Sequence, residues 1–180
     1  MKKHLVFCLL VLCAPLVGCG KLDERHVRRF VDQADETARK RFAPEICALR
    51  AKNFTLHQKF QSANERLPPA ELDLDRKMFC VEAGKFARLR QYQLERKSLE
   101  VDLAPDRKTA RITAEYVETL PYYEPDVMPA TPDDFREFQI LESRDESVIG
   151  FEDGDIVFLS TDADIQQSLV PKGSRDIPYT

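Results

Sequence analysis

Residues able to do chemistry are few in this chain of 180 residues, and they lie far apart. Cysteines stand at positions 8, 13, 19, 47 and 80, and histidines at 4, 26 and 57. His26 sits in Arg25-His26-Val27-Arg28-Arg29, among charged neighbours, and reads as a solvated surface imidazole. His57 has the chemistry to orient a nucleophile, but no Gly-x-Ser-x-Gly elbow accompanies it. Neither histidine has a second ligand at zinc-binding spacing. Asp153/Asp155 and Asp162/Asp164 open like calcium loops, yet the Gly at the sixth position and the Glu at the twelfth are missing. A hairpin turn and a helix cap account for them better. The residues thus nominate no metal, no cofactor and no catalytic group.

The one segment with specific chemical meaning is N-terminal. Met1-Lys2-Lys3-His4 is basic, Leu5 to Val17 is apolar, and small residues follow, which is the order of parts in a signal peptide. The apolar run is too short to span a bilayer, which takes roughly 20 residues. It closes on Leu16-Val17-Gly18-Cys19, which resembles the lipobox of bacterial lipoproteins; an ordinary secretory signal would show an Ala-x-Ala-like site instead. The resemblance implies that residues 1–18 are removed and that the Cys19 sulfur receives a diacylglyceryl group. A further acyl chain such as palmitate goes onto its amine. The protein then faces the periplasm from a membrane of the cell envelope. Several chains, at about 0.8 kcal/mol per buried CH₂, make a stable anchor. In lipoproteins an Asp directly after the lipidated cysteine signals inner-membrane retention; Gly20 departs from that and favours the outer membrane. Residues 19–22 form a short tether reaching about 10 Å.

Processing removes Cys8 and Cys13 and uses Cys19. Cys47 and Cys80 remain, an even pair in an oxidising compartment and hence a disulfide candidate, the alternative being two buried free thiols. Without Lys2 and Lys3 the formal charge moves from −4 to −6, which argues against a nucleic-acid partner. Arg25, Arg28 and Arg29, with Arg39, Lys40 and Arg41, lie on the tethered segment and are candidate contacts for anionic headgroups, each adding up to about 1 kcal/mol. The plainer reading is a solvated face held by the i, i+4 pairs Glu24/Arg28, Asp35/Arg39 and Glu36/Lys40.

The elements that must position these residues divide into a helical first half and a strand-rich second half. Asp23 to Phe42 places Val27, Phe30, Val31, Ala34, Ala38 and Phe42 on one helical face. Pro44 suits the first turn of a second helix, through about Lys52. Phe54 to Phe60 partly alternates as a short strand. After Pro68-Pro69, Asp73 or a neighbour caps a third helix through about Gln91, with Phe79, Ala83, Phe86 and Arg90 in a stripe. Leu99, Val101 and Leu103, a Pro105-Asp106 turn, then Ile112, Ala114 and Tyr116 read as a hairpin with one buried face. Pro121, Pro125, Pro129 and Pro132 define a loop. Phe138 and Ile140 begin the next strand, and Asp153-Gly154 is the turn of a second hairpin. Asp162 to Val170 is read as a last short helix. The domain is therefore expected over residues 23–170, with a loose tail over 171–180.

Helix, helix, short strand, helix, then antiparallel strands resembles the NTF2-like (cystatin-like) fold, an α+β architecture in which N-terminal helices pack on a curved antiparallel sheet. In that superfamily the cone between sheet and helices sometimes holds a small ligand or an active site and sometimes is simply core. Three functions follow. The leading one is a non-enzymatic interaction module of the envelope, contacting an unidentified envelope protein through the proline-stiffened loop that carries Tyr122, Tyr123 and Met128, since aromatics and Met are enriched at interfaces; an immunity-type lipoprotein that blocks a toxin is a special case. The second is a small-ligand-binding or enzymatic domain, which requires a polar concave pocket with a perturbed acid or base. It fails if Phe, Leu and Ile fill the interior. The third is a structural component of an envelope assembly. The lipid address is checked directly: labelled palmitate fed to an expressing bacterium is expected to enter the protein and to be lost in Cys19→Ser, and retained label in that variant would remove the anchor.

Overall fold

Asp23 starts the first helix because its carboxylate accepts the His26 backbone N–H at 2.8 Å. From there the computed structural model, which describes residues 20–89, 91–123 and 134–174, runs α1 (Glu24–Lys40) to Arg41, whose left-handed backbone at φ 57° ends it. The apolar stripe read from the sequence buries Val27, Phe30 and Val31, whereas Phe42 is 52% exposed and lies outside it. Asp35 is also buried, so the expected surface pair with Arg39 does not form. Pro44 does open α2 (Ala43–Ala48), but the helix stops short of Lys52. Arg50 already belongs to a strand, β1 (Arg50–Gln61), which is longer than the Phe54–Phe60 segment expected.

A second strand was not anticipated. β2 (Ala70–Asp75) pairs antiparallel with β1, and the cap of α3 (Arg76–Phe86) is Asp75, which accepts the Met78 N–H at 2.7 Å. Asp73 instead faces His57 across the ladder. The third helix is correspondingly shorter than expected, and Arg90 lies outside the described residues.

The second half forms β3 (Gln93–Leu103), β4 (Thr109–Tyr122), β5 (Glu137–Glu152) and β6 (Asp155–Pro171). The sheet order is β2-β1-β6-β5-β4-β3, antiparallel except for the parallel β1–β6 pair, so the sheet is mixed rather than purely antiparallel. Asp153 and Gly154, at φ 54° and 94°, make the β5–β6 turn with the two positive φ angles a tight hairpin needs. Pro121 belongs to β4 and not to the loop. Its place is tolerated because β3 pairing ends at Thr119, leaving that side of β4 without a partner to bond. Pro125, Pro129 and Pro132 lie outside the described residues.

The helix expected over Asp162–Val170 is a correction: this stretch is strand. Ala163 and Ile165 are buried while Asp162, Asp164 and Gln166 are exposed, a period of two. β6 lies between β1 and β5, which satisfy its backbone on both sides. The Asp162/Asp164 pair is therefore an exposed strand face and no cap. Pro171 ends β6, and the remaining expected tail is described only as far as residue 174.

Helices cover the concave face of this curved sheet, and Val27, Val31, Phe54, Phe158 and Ile149 make the centre of the core. Leu22 belongs to that core, fully buried, with its N–H donated to the Arg107 carbonyl at 2.7 Å. Leu22, expected as part of a short tether, therefore belongs to the folded domain. Cys47 of α2 and Cys80 of α3 form a disulfide, with Cα atoms 5.6 Å apart, that closes a loop of 33 residues. Such a loop stabilises by about 3–4 kcal/mol in the chain-entropy model. Urea unfolding of Cys47→Ala/Cys80→Ala is expected to show that loss, and a variant as stable as wild type would mean the bond contributes nothing.

Candidate functional site

The second half of α1 presents Ala34, Asp35 and Ala38 to the sheet, and these short side chains leave a cavity of about 150 Å³. Its polar groups are Asp35, Arg50, Tyr92, Tyr116, Glu118 and Asp145, drawn from α1, β1, the residue before β3, β4 and β5. Ile112, Leu94 and Phe158 supply apolar wall. The interior of the cone is therefore polar and concave, the condition that the ligand reading required.

Arg50 projects from the first residue of β1 into an aromatic box. Its guanidinium carbon lies 4.3 Å from the Phe158 ring centre, 4.8 Å from that of Phe79 and 5.3 Å from that of Phe54. Ring faces attract a cation, but they do not accept hydrogen bonds in line with every N–H. Nε and Nη1 are cut off from solvent and have no hydrogen-bond partner. Burial lowers the Arg50 pKa to about 10, so the group stays charged at neutral pH. The Arg76 side chain fixes the strand start from below, donating to the carbonyls of Arg50 at 3.1 Å and Cys47 at 3.2 Å.

Asp145 faces the same cavity with its Oδ1 buried and unpartnered. Burial pushes its carboxyl up to about 6, against the pull of Ser143 and Arg50. Glu118 is pushed up to about 7 by burial, although the Tyr92 hydroxyl donates to it at 2.7 Å. Burial also raises Tyr92 and Tyr116 well beyond the normal phenol range, so both stay neutral.

The remaining charges of the site neutralise one another. Arg96 of β3 donates Nη1 to Asp35 and Nη2 to Asp32, each at 2.6 Å, and the Tyr116 hydroxyl donates to Asp35 at 3.2 Å. Burial still raises the Asp35 pKa despite Arg96. This cluster ties α1 to β3 and β4 and is structural. Arg50 and Asp145 are the groups left with unmet polar atoms.

The residues singled out in the sequence lie elsewhere. Cys19 and Met128 lie outside the described residues. Tyr122 is half-buried with the Arg66 guanidinium 5.1 Å from its ring centre, and Tyr123 is half-buried edge-on to Phe135. Arg25 and Arg29 are exposed, while Arg28 pairs with Glu24 and donates to the Leu99 carbonyl. His26 bonds its own cap, Asp23, and His57 pairs with Asp73 on the exposed β1–β2 ladder. Among the described residues, no acid, His and Cys groups cluster as a metal site.

The signal that would have found the cone residues was periodicity carried further. Ile112, Ala114 and Tyr116 point inward, and the next step in that period is Glu118. Counting back from Ile149 by twos gives Ser147 and Asp145. Val27, Val31 and Asp35 form one i, i+4 row. Arg50 escapes this pattern because the residues after Pro44 read as helix through about Lys52, whereas α2 ends at Ala48.

Comparison with known proteins places the fold. No family model matches, and no curated protein matches. Among solved structures, the chain is similar to a putative scytalone dehydratase from Novosphingobium aromaticivorans, at 12% identity and TM-score 0.55, covering 87% of this chain and 93% of that one. It is also similar to an NTF2-like protein of unknown function from Pseudomonas putida, at 12% identity and TM-score 0.54, covering 81% and 89%. A third is the hexachlorocyclohexane dehydrochlorinase LinA-type3 from Novosphingobium barchaimii, at 8% identity and TM-score 0.54, covering 85% and 92%. The chain has the NTF2-like fold.

Asp145 makes a pH-dependent contribution to stability whose sign follows from its raised pKa. A carboxyl that titrates at about 6 when folded stabilises the fold while protonated, and that stability is lost as the pH rises through about 6. Relative to Asp145→Asn, the wild type is expected to lose roughly 3 kcal/mol between about pH 4 and pH 8. Parallel stability–pH curves for the two proteins would show that Asp145 is not buried as described.

Proposed function

We propose that this chain is an NTF2-like domain that binds a small molecule in its cone and acts on it by proton transfer, and that lipid on Cys19 holds it at the periplasmic face of an envelope membrane. The observation that carries the ligand reading is that Arg50 and Asp145 line one cavity and each has buried polar atoms without partners, Nε and Nη1 of the one and Oδ1 of the other. Each such group costs stability. Apolar side chains in their place would be more stable, so their presence is explained by something they bind.

The two groups have complementary roles. An acid near pH 6 is poised to give and take protons at physiological pH, and Asp145 meets that condition. Arg50 supplies a fixed positive charge for an oxyanion of ligand or transition state. The names of two structural neighbours, a dehydratase and a dehydrochlorinase, denote removal of water or of HCl, and both reactions take a proton from the substrate. The interaction-module reading has less support: Tyr122 and Tyr123 already pack against Arg66 and Phe135. The anchor rests on the lipobox resemblance. Among the described residues, no helix is long and apolar enough to cross a membrane.

Two measurements test the cone. A panel of small carboxylates, amides, phenols and alcohols, titrated into the mature protein in detergent, is expected to shift the amide resonances of Ala114, Asp145 and Thr161 for at least one class. No shift from any of them would remove the ligand reading. Arg50→Met is expected to raise the thermal midpoint, because a buried charge without a partner destabilises. A lowered midpoint would make Arg50 a structural residue.

A further inference from the structure

We propose that the cone selects a compact carboxylate that docks on Arg50 and is accepted in company with the protonated form of Asp145. This rests on the ligand reading above and names the ligand's class. Three features of the cavity argue for it.

Charge comes first. Arg50 cannot lose its proton near neutral pH, yet two of its donor nitrogens meet nothing. Its three Phe rings cover it without satisfying those N–H groups. A carboxylate offers a guanidinium two charged acceptor oxygens, and such charge-assisted hydrogen bonds are stronger than those a neutral carbonyl or an alcohol accepts. Among the described residues that line the cavity Arg50 is the one cation, and Arg96 of β3 is already taken by Asp32 and Asp35.

Size comes second. A cavity of about 150 Å³ is that of an engineered apolar cavity that admits benzene. The ligand is therefore a short-chain or single-ring acid. The apolar surface of Phe158, Ile112 and Leu94 suits its carbon skeleton.

Proton occupancy comes third. Asp145 shares the cavity with Arg50, and an anion seated there meets its charge when it is ionised. The groups facing Asp145 are Asp35 from α1, Arg50 from β1, Tyr92 ahead of β3, and Tyr116 and Glu118 from β4, while β6 contributes the uncharged Thr161. Arg50 is the sole cation among them, and Asp35 adds to the negative side. A second anion is thus accommodated when Asp145 carries a proton. Protonated, the Asp145 hydroxyl becomes a donor, and the site then holds a cation and a neutral donor facing one carboxylate. Binding takes up one proton from solvent, and no covalent bond changes.

The experiment compares benzoate with benzamide, an uncharged analogue of the same shape, by amide-resonance titration of the mature protein in detergent. Benzoate stays ionised above about pH 5, as carboxylic acids do, so any pH effect above that belongs to the protein. Benzoate is expected to bind at least tenfold more tightly than benzamide at about pH 6. Between about pH 6 and 7 its affinity is expected to fall by up to tenfold, the limit for uptake of one proton, and above about 7 the ionisation of Glu118 adds to the fall. Asp145→Asn is expected to flatten the benzoate profile between about pH 5 and 6, where Glu118 still carries its proton, while keeping the preference for the anion, and Arg50→Met to abolish the preference. If Arg50→Met does not fold, the Asp145→Asn profile carries the test alone. Benzamide binding as well as benzoate, or a benzoate affinity that rises with pH, would overturn the inference while leaving the ligand reading in place. No binding by either, together with silence from the wider panel, would overturn both.

Discussion

A helix laid along a concave sheet must fill the space beneath it, and α1 does so over only half its length. Its first turns carry Val27, Phe30 and Val31, which meet Phe158 and Ile149 as part of one buried core. Its later turns offer Ala34 and Ala38, which reach too little of the sheet, and the cone opens where they stand. Packing density in protein interiors leaves few voids of this size by accident. What keeps α1 in place across the gap is polar: Arg96 reaches from β3 to both Asp32 and Asp35, and Tyr116 reaches Asp35 from β4. The helix is thus held to β3 by two short charge-assisted bonds from Arg96 and to β4 by a longer one from Tyr116.

The other wall depends on α3 and the disulfide. Cys80 follows Phe79, and Phe79 stacks against both Phe54 and the Arg50 guanidinium. Arg76, at the start of the same helix, bonds the carbonyls of Cys47 and Arg50. The bond between Cys47 and Cys80 therefore fixes α2 to α3 at the point where both touch the base of Arg50. A cation whose buried N–H groups lack partners needs its neighbours held in place. The disulfide and the guanidinium are in this sense one construction.

How far the sequence disclosed this differs by element. The β3–β4 and β5–β6 hairpins were legible because each buries one face, so hydrophobicity alternates, and Asp153-Gly154 names its own turn. The NTF2-like architecture was legible from element order. β2 was not, since three of its six residues are charged and it is an edge strand with little buried face. The end of β6 was misread because its exposed acids, Asp162 and Asp164, imitate a helix cap, and what makes it a strand is two partners distant in sequence. The cone was illegible for a more general reason. Arg50, Glu118 and Asp145 are charged residues at inward positions, and patterns that search for an apolar face assign every charge to solvent. Asp35 is illegible for the same reason: its spacing suggests a surface pair with Arg39, while its carboxylate turns to Arg96.

A polar cavity also sets demands on the rest of a small domain. Net stabilities of such domains are about 5–15 kcal/mol, and each buried polar atom without a partner costs about 1–3 kcal/mol, more when charged. The unmet atoms of Arg50 and Asp145 consume a sizeable part of that range. The disulfide returns about 3–4 kcal/mol by restricting the unfolded chain, which is a contribution that adds nothing to the filling of the cone. A larger apolar core would have stabilised the fold as well, but it would have had to grow into the same space beneath α1. Cross-linking α2 to α3 stabilises the domain from outside the cavity, and so allows a hydrophobic core that ends halfway along one helix to coexist with a charged interior.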